Sequence, residues 1–144
     1  MAVYRCEVKT LRRAAGRSAV AASAYRSAEC LRDQRSGKLF DYRRRTPGIA
    51  YREVMSRKDV PEWSHRRDSL WNAAERAEKR CNSVTAREII VSLPHELNDT
   101  QRIELVRDFA GQLVDRYGVA VDVCIHRPDR KGDQRNHHAH LLMT

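Results

Sequence analysis

The sequence predicts an α+β domain with a largely antiparallel central sheet and helices packed on one face. Three observations carry that expectation. Residues 84–93 form a β-branched apolar run, residues 98–118 carry a helical stripe with a cap signal at each end, and residues 119–126 alternate cleanly before a second strand-like segment closes the chain.

Taken in order, residues 3–10 alternate, with Tyr4, Cys6 and Val8 on one side and Val3, Arg5, Glu7 and Lys9 on the other. That is the period of a half-buried strand, with Tyr4 assigned to the core. From Arg17 to about Leu31 the chain turns to Ala and Ser, with Val20, Ala24 and Leu31 at helical spacing, which predicts a first helix able to approach a sheet closely. Residues 32–60 are rich in turns. Ser36-Gly37 and Pro47-Gly48 flank short strands at Leu39 to Tyr42 and Ile49 to Val54, with the run Arg43-Arg44-Arg45 between them.

Pro61 suits a first helical turn, and Trp63, Leu70, Trp71, Ala74 and Ala77 recur at helical spacing to about Arg80, which predicts a second helix burying both tryptophans. The strand at 84–93 ends at Pro94, which cannot donate to a ladder. Asn98 with Gln101 makes a capping-box pattern. Ile103, Val106, Phe109, Ala110, Leu113 and Tyr117 continue an apolar stripe, Tyr117 reading as core, and Gly118 terminates it. Val119, Val121, Val123 and Ile125 then share one strand face and Ala120, Asp122, Cys124 and His126 the other; after a polar loop, residues 137–143 form the last strand. No repeat, linker or low-complexity segment interrupts the chain, so residues 1–144 read as one domain.

Composition narrows the function. Lys+Arg 28 against Asp+Glu 19 gives a net charge of +9, and 41% hydrophobic residues suffice for a core. A charged content of 33% and a mean hydropathy of −0.72 exclude a membrane protein, and no run approaches the roughly 20 apolar residues of a bilayer span. The first fifteen residues lack the apolar segment of a secretory signal. Of the 28 basic residues 23 are Arg, whose planar fork suits phosphate contacts and base stacking, so the expected partner is a nucleic acid. Cys6, Cys30, Cys81 and Cys124 form no C-x-x-C pair and read as reduced, mostly buried thiols of a cytosolic protein.

Four of six histidines fall between residues 126 and 140. His138 and His140 are two apart on a strand and project to one face, with His137 opposite. His126 ends the preceding strand on its polar side, so an antiparallel return brings three imidazoles within reach of one metal ion. Three ligands leave positions open, the arrangement of a catalytic metal. Nothing singles out His65 or His95. Glu88 shares its strand face with Ile90 and Ser92 and reads as a general base, an orienter of a ligand imidazole, or a carboxylate paired with Arg. Asp122, on the histidine side, is a candidate support for the ligands.

Three stretches resemble one family: residues 1–4 followed by Arg17-Ser-Ala-Val-Ala-Ala-Ser-Ala-Tyr25-Arg26; Arg87-Glu88-Ile-Ile-Val-Ser-Leu-Pro94; and Ile125-His126 with Asn136-His137-His138-Ala-His140 through Thr144. The sequence is similar to the N-terminal domain of the MobA/MobL plasmid conjugative relaxases, HUH-type single-strand DNA endonucleases. The resemblance implies an HUH relaxase-like fold and site- and strand-specific nicking of a plasmid transfer origin. Tyr25 would attack the scissile phosphodiester, leaving a 5′-phosphotyrosyl enzyme and a free 3′-OH. His126, His138 and His140 would hold a divalent metal ion, Mg²⁺ or Mn²⁺ for phosphoryl chemistry, although three imidazoles also suit Zn²⁺ or Ni²⁺. Glu88 matches an acidic position near the site.

Single-stranded DNA would be held through phosphates by Arg17, Arg26, Arg43, Arg44, Arg45, Arg127, Arg130, Lys131 and Arg135, with Phe40 and Tyr42 available for stacking. Relaxosome accessory proteins and the conjugation secretion machinery would be partners, in the bacterial cytoplasm, with no membrane insertion. Relaxases of this kind ordinarily continue past such a domain, so the chain resembles one truncated at its C-terminus. Two other readings stand beside this one. A rolling-circle replication initiator uses the same metal face, but its tyrosine usually follows the histidines. A non-catalytic basic DNA-binding module would keep the surface without the chemistry.

Overall fold

The computed structural model describes residues 4–144. In chain order it contains β1 (Cys6–Arg12), α1 (Ala19–Ser27), β2 (Cys30–Arg32), β3 (Leu39–Asp41), β4 (Ile49–Met55), α2 (Arg67–Ala77), β5 (Val84–Leu93), α3 (Asp99–Tyr117), β6 (Val121–His126) and β7 (His137–Met143). Short 3-10 turns occupy Arg13–Ala15, Arg43–Gly48 and Glu62–His65. Residues 1–3, part of the opening motif, lie outside the described residues.

Five strands form one sheet in the order β1-β5-β7-β6-β4, every pair antiparallel, while β2 and β3 make a separate ribbon. The α+β class and the antiparallel sheet are as expected from the sequence. So are the bounds of β5 and both ends of α3. Asn98 accepts from the Gln101 backbone while the Gln101 side chain accepts from the Asn98 backbone, and Gly118 closes the helix at φ 66°, a conformation that costs an L side chain strain.

The helices, however, cover both faces of the sheet rather than one. Val106, Ala110, Leu113 and Val114 of α3 pack on Ile89, Leu93, Val121, Val123, Ile125, Ala139 and Leu141. Ala19, Val20 and Ala24 of α1 and Leu70 and Trp71 of α2 pack on the opposite side, with Leu11, Ala86, Ala120 and Leu142. Alternation on β5, β6 and β7 sends neighbouring residues to opposite faces, so each strand serves two cores. The second helical layer is poorly marked in sequence because, Val20 apart, α1 buries only Ala and Ser.

Other expectations are corrected. Trp63 is exposed while Trp71 is fully buried, because Trp63 lies in the 3-10 turn and extended backbone at Arg66 breaks its phase with α2. Tyr4 and Tyr117 are exposed. On β1 the inward residue is Leu11, and the Cys6–Val8 side faces out. Only Cys124 of the four free cysteines is buried; Cys6 and Cys81 are exposed and Cys30 is half-buried. Helix α1 is shorter than expected, because Ala28 turns into the left-handed region at φ 56°.

Candidate metal centre

Strand β7 lies between β5 and β6, which places its histidines in the middle of the sheet. His126 pairs in register with His138, and Cys124 with His140, so the three imidazoles meet on the α1 side. Their ring centroids lie 4.7–5.3 Å apart. One nitrogen from each falls within 4.8 Å of the others. Bonds of about 2.1 Å to one ion hold such nitrogens within about 4.2 Å, so the rings stand near the spacing a single cation needs.

The partners of each ring settle which nitrogen is free. Nε2 of His126 lies 2.7 Å from the Arg26 carbonyl oxygen, and Nδ1 of His138 lies 3.1 Å from that of Asn136. A carbonyl only accepts, so those nitrogens carry protons and donate. Nδ1 of His140 lies 2.7 Å from Oε1 of Glu88. That carboxylate would be raised by its burial, but hydrogen bonds from His140 and Arg26 outweigh this and hold it at about 2, so it is an anion and His140 donates to it. Each imidazole thus has one nitrogen anchored by an acceptor, which in the neutral form leaves the other to a cation, as in established metal sites. Burial also lowers His126 to about 4 and pushes His138 down, favouring the neutral, ligating form. The residues present thus fit a divalent ion.

Tyr25 is the last-but-two residue of α1 and is half exposed. Its ring stands edge-on to Tyr42, 5.2 Å between centroids, and the Arg45 guanidinium lies 3.5 Å from the ring centre. A cleft of about 660 Å³ is lined by Tyr25, the three histidines, Arg44, Arg45, Arg127 and Arg130, with Asp129 the one acidic wall residue. Tyr25, the three histidines and four arginines thus share one opening. Arg127 also donates to the Ile49 carbonyl at 2.7 Å, bracing the loop after β6 against β4.

The remaining candidates lie apart. Arg17 lines a second cleft with Lys9, Lys38, Phe40, Arg26 and Glu88; His140 borders both clefts. Arg43 pairs with Asp41, and Arg135 with Asp133. Lys131 is exposed on the 127–136 loop and does not line the cleft. Arg26 points at Glu88, with which its Nη2 makes a 2.7 Å hydrogen bond. Asp122 touches no ligand imidazole. It accepts from Ser23 Oγ at 2.5 Å, Arg67 Nε at 2.8 Å and Trp71 Nε1 at 2.9 Å, tying α1 and α2 to β6.

The contacts of Arg26, and the grip of Tyr42 and Arg45 on Tyr25, were not legible in sequence. They join residues far apart in the chain without any spacing rule. His137 faces the apolar side as expected, with its Nδ1 buried and without a hydrogen-bond partner. Among the described residues no helix is long and apolar enough to cross a membrane.

Known proteins are similar to this chain. The mobilization protein MobL of Acidithiobacillus ferridurans is 37% identical over 166 residues, covering 100% of this chain and 43% of the relative. The probable conjugal transfer protein TraA of Sinorhizobium fredii (strain NBRC 101917 / NGR234) is 33% identical over 154 residues, covering 100% of this chain and 13% of the relative. The chain thus spans less than half the length of either. A solved structure described as "Molecular Basis of Vancomycin Resistance Transfer in Staphylococcus aureus" superposes with a TM-score of 0.87 at 35% identity, covering 99% of this chain and 70% of that one. The MobA/MobL family model matches residues 17–144, a span that includes Tyr25, Glu88 and all three clustered histidines, and the chain belongs to the MobA/MobL family.

Proposed function

We propose that the domain is a conjugative relaxase that nicks one strand of a plasmid transfer origin by tyrosine transesterification, with a divalent metal ion as cofactor. The observation that carries the reading is the single cleft onto which Tyr25 and three clustered imidazoles open. Relatives named for mobilization and conjugal transfer support the same process.

His126, His138 and His140 would hold the divalent cation, which would supply Lewis-acid chemistry at the scissile phosphate. Three nitrogen donors favour Mn²⁺, Zn²⁺ or Ni²⁺ over Mg²⁺. The rest is done by the chain's own groups. Tyr42 and Arg45 fix the Tyr25 ring, and with it the direction of the hydroxyl. Oη of Tyr25 bonds to phosphorus as the bond from phosphorus to the 3′-oxygen breaks. The phenolic proton passes to water in the open cleft, and the departing oxygen takes a proton from solvent. One phosphoester replaces another, so the same residues can rejoin the strand.

Arg44, Arg127 and Arg130 bind phosphates along the cleft wall. Glu88 acts through His140, since its carboxylate is buried, ionised and engaged at both oxygens, and so is no base for the phenol. Single-stranded origin DNA is the substrate on this reading. Relaxosome proteins and the conjugation secretion machinery of a bacterial cytoplasm are the partners.

The test is incubation with an oligonucleotide carrying the transfer origin, with Mn²⁺ or with chelator. A covalent protein–DNA adduct is expected with metal, and its loss in Tyr25→Phe and with chelator. Salt-sensitive binding with no adduct under any condition would leave only a DNA-binding module.

A further inference from the structure

Arg26 follows Tyr25 directly, and its contacts converge on the ligand cluster from two directions. Its Nε and Nη2 each bond an oxygen of Glu88, and Nη1 donates to the Ala22 carbonyl of its own helix at 3.1 Å. Glu88 in turn accepts from Nδ1 of His140. The backbone carbonyl of Arg26 meanwhile accepts from Nε2 of His126. One residue therefore orients two of the three imidazoles, one through its backbone and one through Glu88.

Local structure explains why that carbonyl is available. The last carbonyls of a helix have no partner within it. Here Ala24 takes the cap, Ser27 accepts from Arg52 at 2.6 Å, and Arg26 is left for His126. The side chain is committed as fully: it is 20% exposed and its partner carboxylate 1%. To reach a DNA phosphate the guanidinium would have to leave a buried anion with one partner fewer, a costly exchange.

We propose that Arg26 is a positioning residue rather than a DNA contact. It locks the turn of α1 that carries Tyr25 to His126 and His140, so that ligand geometry and nucleophile placement are set together. The proposal rests on the metal-and-tyrosine reading above. Lysine cannot do the same work, because a single ammonium does not match both oxygens of Glu88 while also holding the Ala22 carbonyl.

The test measures Mn²⁺ affinity by calorimetry for Arg26→Gln and Arg26→Lys, with thermal melts to establish folding. In parallel, binding of a thymidine oligonucleotide in chelator is followed against salt. Mn²⁺ affinity is expected to fall about 10- to 100-fold in both variants, as for other groups that orient a ligand imidazole. The salt slope of DNA binding is expected to stay at the wild-type value, whereas Arg44→Ala, which removes a cleft cation, lowers it by about 0.7.

A reduced salt slope with unchanged Mn²⁺ affinity in Arg26→Gln would make it a phosphate contact and overturn the proposal. So would wild-type Mn²⁺ affinity in Arg26→Lys, whose retained charge guards against a folding artefact. The two readings fail separately. A wild-type protein that binds Mn²⁺ but forms no adduct refutes nicking alone, and variants that bind Mn²⁺ and form adduct as the wild type does refute the Arg26 assignment alone.

Discussion

On the α3 side of the sheet, Ala139 and Leu141 of β7 are wholly buried in one apolar cluster with Val106, Ala110, Leu113, Val121 and Val123. One residue along the same strand, on the other side, His138 and His140 stand beside His126 and Glu88, over a helix that carries Tyr25. Both faces are packed, but by different means. The α3 face is held by area removed from water. The α1 face buries Glu88, Asp122 and Glu75, and buried charge is tolerable only where partners meet it. The first face therefore sets stability without direction, and the second spends stability on fixed orientation.

The largest test removes an anchor of the polar face. Asp122→Ala leaves Arg67, Ser23 and Trp71 without their shared acceptor and is expected to destabilise by about 3–5 kcal/mol, as when one partner of a buried ion pair is deleted. Urea unfolding followed by tryptophan fluorescence measures it. A loss below about 1 kcal/mol, the range of an exposed pair, would show that the network is not what holds α1 and α2 to β6.

A matched pair on β7 sharpens the contrast. Leu141→Ala on the dry face is expected to cost about 2–5 kcal/mol while the folded protein keeps its Mn²⁺ affinity. His138→Ala on the other face is expected to abolish high-affinity Mn²⁺ binding while stability shifts by no more than about 0.5 kcal/mol. Should Leu141→Ala weaken Mn²⁺ binding as strongly as His138→Ala does, the two faces are coupled and the division fails.

How much of this was legible in sequence follows the same division. Apolar periodicity reports a face built from apolar area, so β5, α3 and its capping residues emerge with their bounds, and the alternation of β6 marks the face that α3 covers. On the other side the contrast is low. Ala19, Ser23, Ala24 and Ser27 bury their face of α1 without a hydrophobic stripe. Glu88 and Asp122 lie on the expected strand face, while Arg26, Arg67, Ser23 and Trp71, which hold them, carry no mark of that role in the sequence. The His-x-His pair with an upstream His was visible because strand period two is a short-range rule. The grip of Arg26 on Glu88 spans 62 residues and leaves no periodic trace.

Acid titration of the metal-free protein separates the faces by a different route. Glu88 is held at about 2, below its unfolded value of about 4.3, so the anion contributes stability that is fully present above the unfolded value. That contribution is lost as pH falls toward 2. Wild-type stability is therefore expected to decline more steeply between about pH 5 and 2 than that of Glu88→Gln, which has no carboxylate to titrate there. Parallel curves would mean that the carboxylate is not held by Arg26 and His140 in solution.

The smallest effect lies at the start of α3, on the far side of the sheet from the histidines. Asn98→Ala removes the side chain that accepts from the Gln101 backbone and leaves Gln101 bonding in one direction only. Loss of such a cap costs about 1 kcal/mol. In a domain of this size that is a fall in melting temperature of about 4 °C. Since α3 meets the site through the sheet and, at its first residue, through the exposed Asp99–Arg127 ion pair at 4.0 Å, Mn²⁺ affinity and adduct yield per folded molecule are expected to stay at wild-type values. A loss of either at full folding, persisting when Asp99 is replaced by Asn, would show that strain in α3 reaches the histidines through β6 and β7, and the α3 face would then belong to the functional site as well.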